Sequence, residues 1–148
     1  MYQPVIRNSY LTEIVLAQTP AVGQRIYFQD VPQIRNVYTV GIQAYTASQL
    51  VTTPNSRATV STVLGIVLTL TEESTEKIYQ IPVYDLISAN NGGIIRQFDQ
   101  KRFNLPKSYI TILSITSLNL NDSLPINFIY NEIKRTATPP PFQQANRK

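Results

Sequence analysis

Cysteine and histidine are both absent from this sequence. Without cysteine there is no disulfide framework and no thiol chemistry, so the fold has to rest on its own packing. A chain of 148 residues fits one domain and can bury a core large enough for that. Without histidine or cysteine, the usual Ser-His and Cys-His nucleophilic pairs are impossible, and zinc-type sites lose their ordinary ligands. Charge is scarce too. Asp, Glu, Lys and Arg make up 15% of the chain, against roughly 25% in an average soluble domain. Asn, Gln, Ser and Thr take their place, and such a surface desolvates at lower cost than one rich in Lys and Glu. No apolar run approaches the length of a membrane span, and the opening "MYQPVIRNSY" lacks the basic-then-apolar layout of a secretion signal. The chain reads as soluble, with no classical export signal.

The net charge of +4 comes entirely from Lys134, Arg135, Arg147 and Lys148, which leaves nine of the 13 basic residues to balance the 9 acidic ones. A body without net charge lacks the clustered cations that a broad nucleic-acid groove needs to displace counterions.

What the sequence does contain is period-two patterning. In "ATVSTVLGIVLTLT", Val60, Leu64, Ile66, Leu68 and Leu70 fall on one face of an extended run rich in β-branched residues. The segments "TEIVLAQ", "QRIYFQ", "VYTVGIQAYT", "KIYQIPVY", "SYITILSITSLNL" and "INFIYNEI" read the same way. Turn chemistry at "TPAVG", "TTPNS", "EEST", "SANNGG", "NLP" and "NDSLP" separates them, giving seven or eight strands. Helix is confined to a turn or two near Val83–Ala89 or Tyr45–Val51. The polar turn "TEESTE" joins two long strands, and Pro82 marks the second of them as an edge strand or a bend. The expected fold is all-β, an antiparallel sandwich of single jelly-roll type with extended termini. Residues 1–10 form an N-terminal arm, 11–133 the sandwich, and 134–148 a Pro-rich basic arm. Val60, Leu64, Ile66, Leu68, Ile110, Ile112 and Phe128 are the expected core.

Candidate chemistry is thin. The acids are dispersed and no loop has the EF-hand pattern, so neither a metal site nor a cofactor is expected. Asp85 and Asp99 are the least implausible carboxylate pair for glycoside hydrolysis, but nothing in their spacing selects them, and structural roles explain both. Lys107 and Ser108 are adjacent, which puts them on opposite faces of an extended chain and disfavours a Ser-Lys dyad. "NNGG" at 90–93 lacks the Gly-Lys-Ser/Thr ending of a phosphate loop, and Asn121-Asp122-Ser123 is a glycosylation triplet that chance supplies often in such a chain. No catalytic residue is expected. The best nucleic-acid candidate is the run holding Arg96, Lys101, Arg102, Phe103 and Lys107, where cations and rings alternate as on a single-strand platform. In the tail, Pro139, Pro140 and Pro141 hold the chain extended, Phe142 offers an apolar plug, and Arg147 and Lys148 suit an acidic neighbour or packaged nucleic acid.

The strand rhythm and composition of 10–133, with stretches such as "RIYFQDVPQIRN" and "FNLPKSYITILSITSLNLNDSLPINFIYNEI", resemble small jelly-roll virion structural proteins of bacteriophages, of capsid vertex or decoration type. The resemblance implies a self-assembling subunit of the virion, made in the host cytoplasm, that is not an enzyme and needs no cofactor. Its partners would be copies of itself and other virion structural proteins, with nucleic acid a further partner for the basic tail. Two other classes stay open: a single-stranded nucleic-acid or carbohydrate-binding β module, and a carboxylate-dependent hydrolase.

Overall fold

A computed structural model describes residues 5–35, 37–47, 58–87 and 95–133. Within them, two four-stranded antiparallel sheets face each other. One runs in the order β1 (Val5–Val15), β8 (Ser123–Ile133), β3 (Tyr38–Ala44) and β6 (Arg96–Lys101). The other runs β2 (Arg25–Tyr27), β7 (Tyr109–Ile112), β4 (Ile66–Thr71) and β5 (Ile78–Pro82). The pairing is nested: first strand with last, second with seventh, third with sixth, fourth with fifth. Pairing of β3 with β8 and of β4 with β7 joins these ribbons into sheets. No α-helix occurs among the described residues. Short 3-10 turns stand at Pro32–Ile34, Val83–Leu86 and Leu105–Lys107.

The core forms between the inner faces, where the two-residue period puts apolar side chains opposite one another. Ile14 faces Leu124 across β1 and β8, and Ile42 faces Phe128 across β3 and β8. In the second sheet Ile66 faces Ile112 and Leu68 faces Ile110. All eight are buried. Phe28, just past β2, sets its ring edge-on to Phe128 with centroids 5.9 Å apart, linking the second sheet to the first.

The expected core holds except at Leu64, which is 74% exposed while Val63 is buried. The Ile66 amide donates to the Val63 carbonyl at 3.1 Å, closing a turn over Leu64 and Gly65 that reverses the phase of the run just before β4. The N-terminal boundary also moves: β1 takes in Val5–Tyr10, residues read as an arm, because they pair with 128–133 of β8. At the other end of that pair, β8 begins at Ser123 inside a segment read as a turn. Pro125 is tolerated there because β3 ends opposite it. Tyr45 N–H donates to the Pro125 carbonyl at 3.1 Å, and the return bond, which proline cannot make, is the one the ladder lacks. β7 stops at Ile112, well short of the Leu120 at which its segment was expected to end, and β6 is a strand with no apolar alternation to announce it. The hairpin at "TEESTE" forms as expected, and Pro82 both closes edge strand β5 and leads into the 3-10 turn.

Gly65 is the most closely approached of the described glycines. A Cβ there would stand 2.5 Å from Ser114 Cβ and 2.8 Å from Ser114 N, where the Leu113 amide already donates to the Gly65 carbonyl at 2.6 Å. Only backbone movement could relieve such contacts. Gly65→Ala is expected to destabilise the protein by about 1–3 kcal/mol, read as a lower midpoint in urea with an unchanged slope.

Candidate interaction surfaces

Because every connection except the β4–β5 hairpin crosses between sheets, the loops sort to two ends of the sandwich. At one end lie the β2–β3 connection, the β4–β5 turn and the β6–β7 connection. They carry the charge: Asp30 paired with Arg35, Glu76 with Lys107 at 3.0 Å, and also Glu72, Glu73, Lys77 and Arg102. At the other end lie the β1–β2, β3–β4, β5–β6 and β7–β8 connections. Among their described residues only Asp85 and Asp122 are charged.

Asp122 is buried, and its Oδ2 accepts from the Asn119 amide at 3.1 Å, so this carboxylate holds the loop's shape and gives the surface little charge. Tyr45, also at this end, is pushed above its ordinary pKa of 10.0 by burial, opposed by a hydrogen bond with Asn127. It stays a neutral phenol at physiological pH. On this charge-poor end the large aliphatic side chains point outward: Val22 is 68% exposed, Leu64 74%, Leu113 56%, Leu120 51% and Ile115 50%. Scattered exposed leucines are ordinary, but a group of them on adjoining loops marks an interaction site.

The loops are held together by backbone bonds. Gly23 N–H donates to Ile112 O at 2.7 Å, Leu113 N–H to Gly65 O at 2.6 Å, and Asn121 N–H to Leu16 O at 2.8 Å. Ser123 N–H donates to Ala58 O at 2.7 Å, and the Ser61 hydroxyl reaches Ser117 O at 3.3 Å. Ser117 and Asn121 hold positive φ of 63° and 70°, the left-handed turns that let the β7–β8 connection fold back on itself. These bonds tie the described parts of the β1–β2, β3–β4 and β7–β8 connections to one another and to the strands, which lowers the entropy cost of docking on them.

The residues singled out for nucleic acid do not make one platform. Arg96 and Lys101 lie on edge strand β6, Arg96 exposed and Lys101 half-buried. Lys107 is committed to Glu76 at the charged end. Arg102 lies 5.9 Å from the centre of the Tyr38 ring. Phe103 is only 4% exposed; its ring packs edge-on against Phe98 at 5.2 Å and Tyr79 at 5.9 Å, so it belongs to the core and presents no face for a base. Ser108 and Lys107 are not a dyad either. The buried Ser108 hydroxyl donates to Asn104 O at 2.7 Å and accepts from Thr71 N–H at 3.1 Å, while Lys107 Nζ turns away to Glu76. Asp85 stands in the 3-10 turn after β5 and Asp99 in β6. Among the described residues no group of three or more acids gathers where it could hold a metal ion, and no helix is long and apolar enough to cross a membrane. Pro139, Pro140, Pro141, Phe142, Arg147, Lys148 and the "NNGG" at 90–93 lie outside the described residues.

The apolar loop end was missed in the sequence because Leu113, Ile115 and Leu120 were absorbed into one long strand. A signal was present. Val63-Leu64 and Ile112-Leu113 are adjacent apolar pairs, which a two-residue period cannot place on one face, and both mark the point where a strand gives way to an exposed loop. No family model, no curated protein and no solved structure matches this chain.

Proposed function

We propose that this protein is a structural subunit of a virus particle, of bacteriophage capsid vertex or decoration type, which meets its neighbours through the charge-poor loop end and has no catalytic role. The observation that carries the proposal is the contrast between the two ends of the sandwich. One end is dressed with charges paired for solvent, while the other exposes aliphatic side chains on loops pinned in place. A surface poor in charge, whose described loops are tied to one another by backbone bonds, is suited to being covered.

The finer fold reading, a single jelly roll, is supported by the nested strand order. An eight-strand hairpin that pairs first with last and fourth with fifth, then wraps into two sheets, gives the orders β1-β8-β3-β6 and β2-β7-β4-β5. Jelly rolls recur in viral capsids, and also in lectins and cupins, so the loop end and not the architecture favours the structural role.

Magnitudes favour repeated contacts over one tight pair. Covering a half-exposed Leu, Ile or Val returns about 1 kcal/mol, and a handful of these barely offsets the estimated 4–15 kcal/mol cost of association. Closed symmetry, where each copy makes the contact more than once, overcomes that deficit.

Two outcomes are expected. In native mass spectrometry at rising concentration the protein should populate oligomers, and the double variant Leu64→Asp/Leu113→Asp should remain monomeric with an unaltered far-UV spectrum, since both side chains are exposed. A wild-type chain that stays monomeric even with other virion proteins present, or a double variant that assembles equally well, would count against the proposal. Removing Pro139–Lys148 should leave the unfolding temperature unchanged but abolish incorporation into particles. Normal incorporation of the shortened subunit would mean that the arm tethers nothing.

A further inference from the structure

A cleft of about 310 Å³ opens on the first sheet where β3 and β6 fall out of register. Thr39 faces Lys101 and Gly41 faces Gln97, so Val40 stands alone opposite Phe98, Asp99 and Gln100. This is a large bulge, and bulges of this kind re-aim side chains. Gln100 sits in it with φ of 47°, a left-handed conformation that a residue with a side chain adopts only where its surroundings impose it. Gly41 keeps the opposite wall open. A Cβ there would come within 3.1 Å of Ile95 Cγ2 and 3.5 Å of Ile129 Cδ1.

The chemistry of the lining is mixed in a specific way. Gln97, Asp99 and Gln100 line it from β6, and their side chains make no hydrogen bond among the described residues. From the far side come Arg7 and Asn131, joined by a 3.5 Å contact from Arg7 Nε to Asn131 Oδ1. Val40 and Ile129 supply apolar surface between them. One guanidinium and one carboxylate leave the cleft without net charge, so neither a phosphate nor a metal cation finds a field of the right sign. The Phe98 ring, which also lines the cleft, makes T-shaped contacts with Tyr79 and Phe103.

We infer that this cleft binds a single ring of a neutral saccharide. Carboxamides both donate and accept hydrogen bonds, which matches a ligand whose hydroxyls do the same. Val40 and Ile129 suit the C–H face of a sugar ring. The volume lies at the low end of the roughly 300–1,000 Å³ range of ligand sites, which limits the occupant to one small ring. This site is on a face of the sandwich and does not depend on the assembly proposed for its loop end.

The test is an amide-resolved NMR titration of the full chain with glucose, galactose and N-acetylglucosamine, and separately with inorganic phosphate. At least one sugar should give saturable shifts at Gly41, Gln97 and Gln100. Gln97→Ala and Asn131→Ala should each weaken that sugar about tenfold, the effect of one lost polar contact, with the rest of the spectrum unchanged. Phosphate should leave these amides unmoved. Absence of saturable shifts with all three sugars overturns the assignment, as do shifts that map elsewhere, persist unaltered in both variants, or appear with phosphate in place of sugar.

Discussion

The unbroken register between β1 and β8, from Val5↔Ile133 to Val15↔Ser123, brings the two ends of the described chain side by side. With these strands paired, the intervening chain pairs inward, second strand with seventh and third with sixth, until the β4–β5 hairpin closes the nest. The burial of Phe128 follows from the same constraint, since β8 is held between β1 and β3 and its inner residues have neighbours on both sides. Such a topology relies on long-range pairing. Loop closure grows only slowly with length, so its cost to stability is modest, whereas its cost to folding rate is large.

The nested order also explains why the two ends of the sandwich could diverge in chemistry. With connections alternating between sheets, four crossings collect at one end and the tight hairpin with two crossings at the other. Each end is then an independent surface built from loops distant in sequence. Three of the four sheet edges are blunted separately: β5 ends in Pro82, β6 carries a bulge and a polar pattern, and β2 is three residues long. The fourth edge, β1, runs the full 11 residues of its pairing with β8.

Much of the fold was legible because its central strands are governed by a single rule. Ile66, Leu68, Ile110, Ile112 and Phe128 obey strict alternation and are buried where alternation puts them. The failures share a cause. Leu64 looks like the next member of its row, but a turn closed by Val63 and Ile66 intervenes, and local alternation carries no record of a turn that lacks proline or asparagine. β6 alternates nothing, since an edge strand with a bulge has no continuous inner face to bury. The first residues of β1 looked like an arm because their support comes from β8, more than a hundred residues away. Phe103 looked like a stacking residue beside Arg102, and only the fold reveals that Phe98 and Tyr79 enclose it. The clefts and loop clusters are juxtapositions of distant segments, and they are the part of the molecule a linear reading reaches least.

The opposition of the two ends constrains any assembly of the proposed kind. β8 finishes at Ile133 on the charged end, so the described chain ends on the side away from Leu64 and Leu113. Stacking copies end to end in one direction would press an apolar surface against the Asp30–Arg35 and Glu76–Lys107 pairs and desolvate them without return. A closed arrangement that brings the Leu64 and Leu113 ends of the copies together avoids this, and the weak apolar contact each copy offers is then made more than once without any new residue.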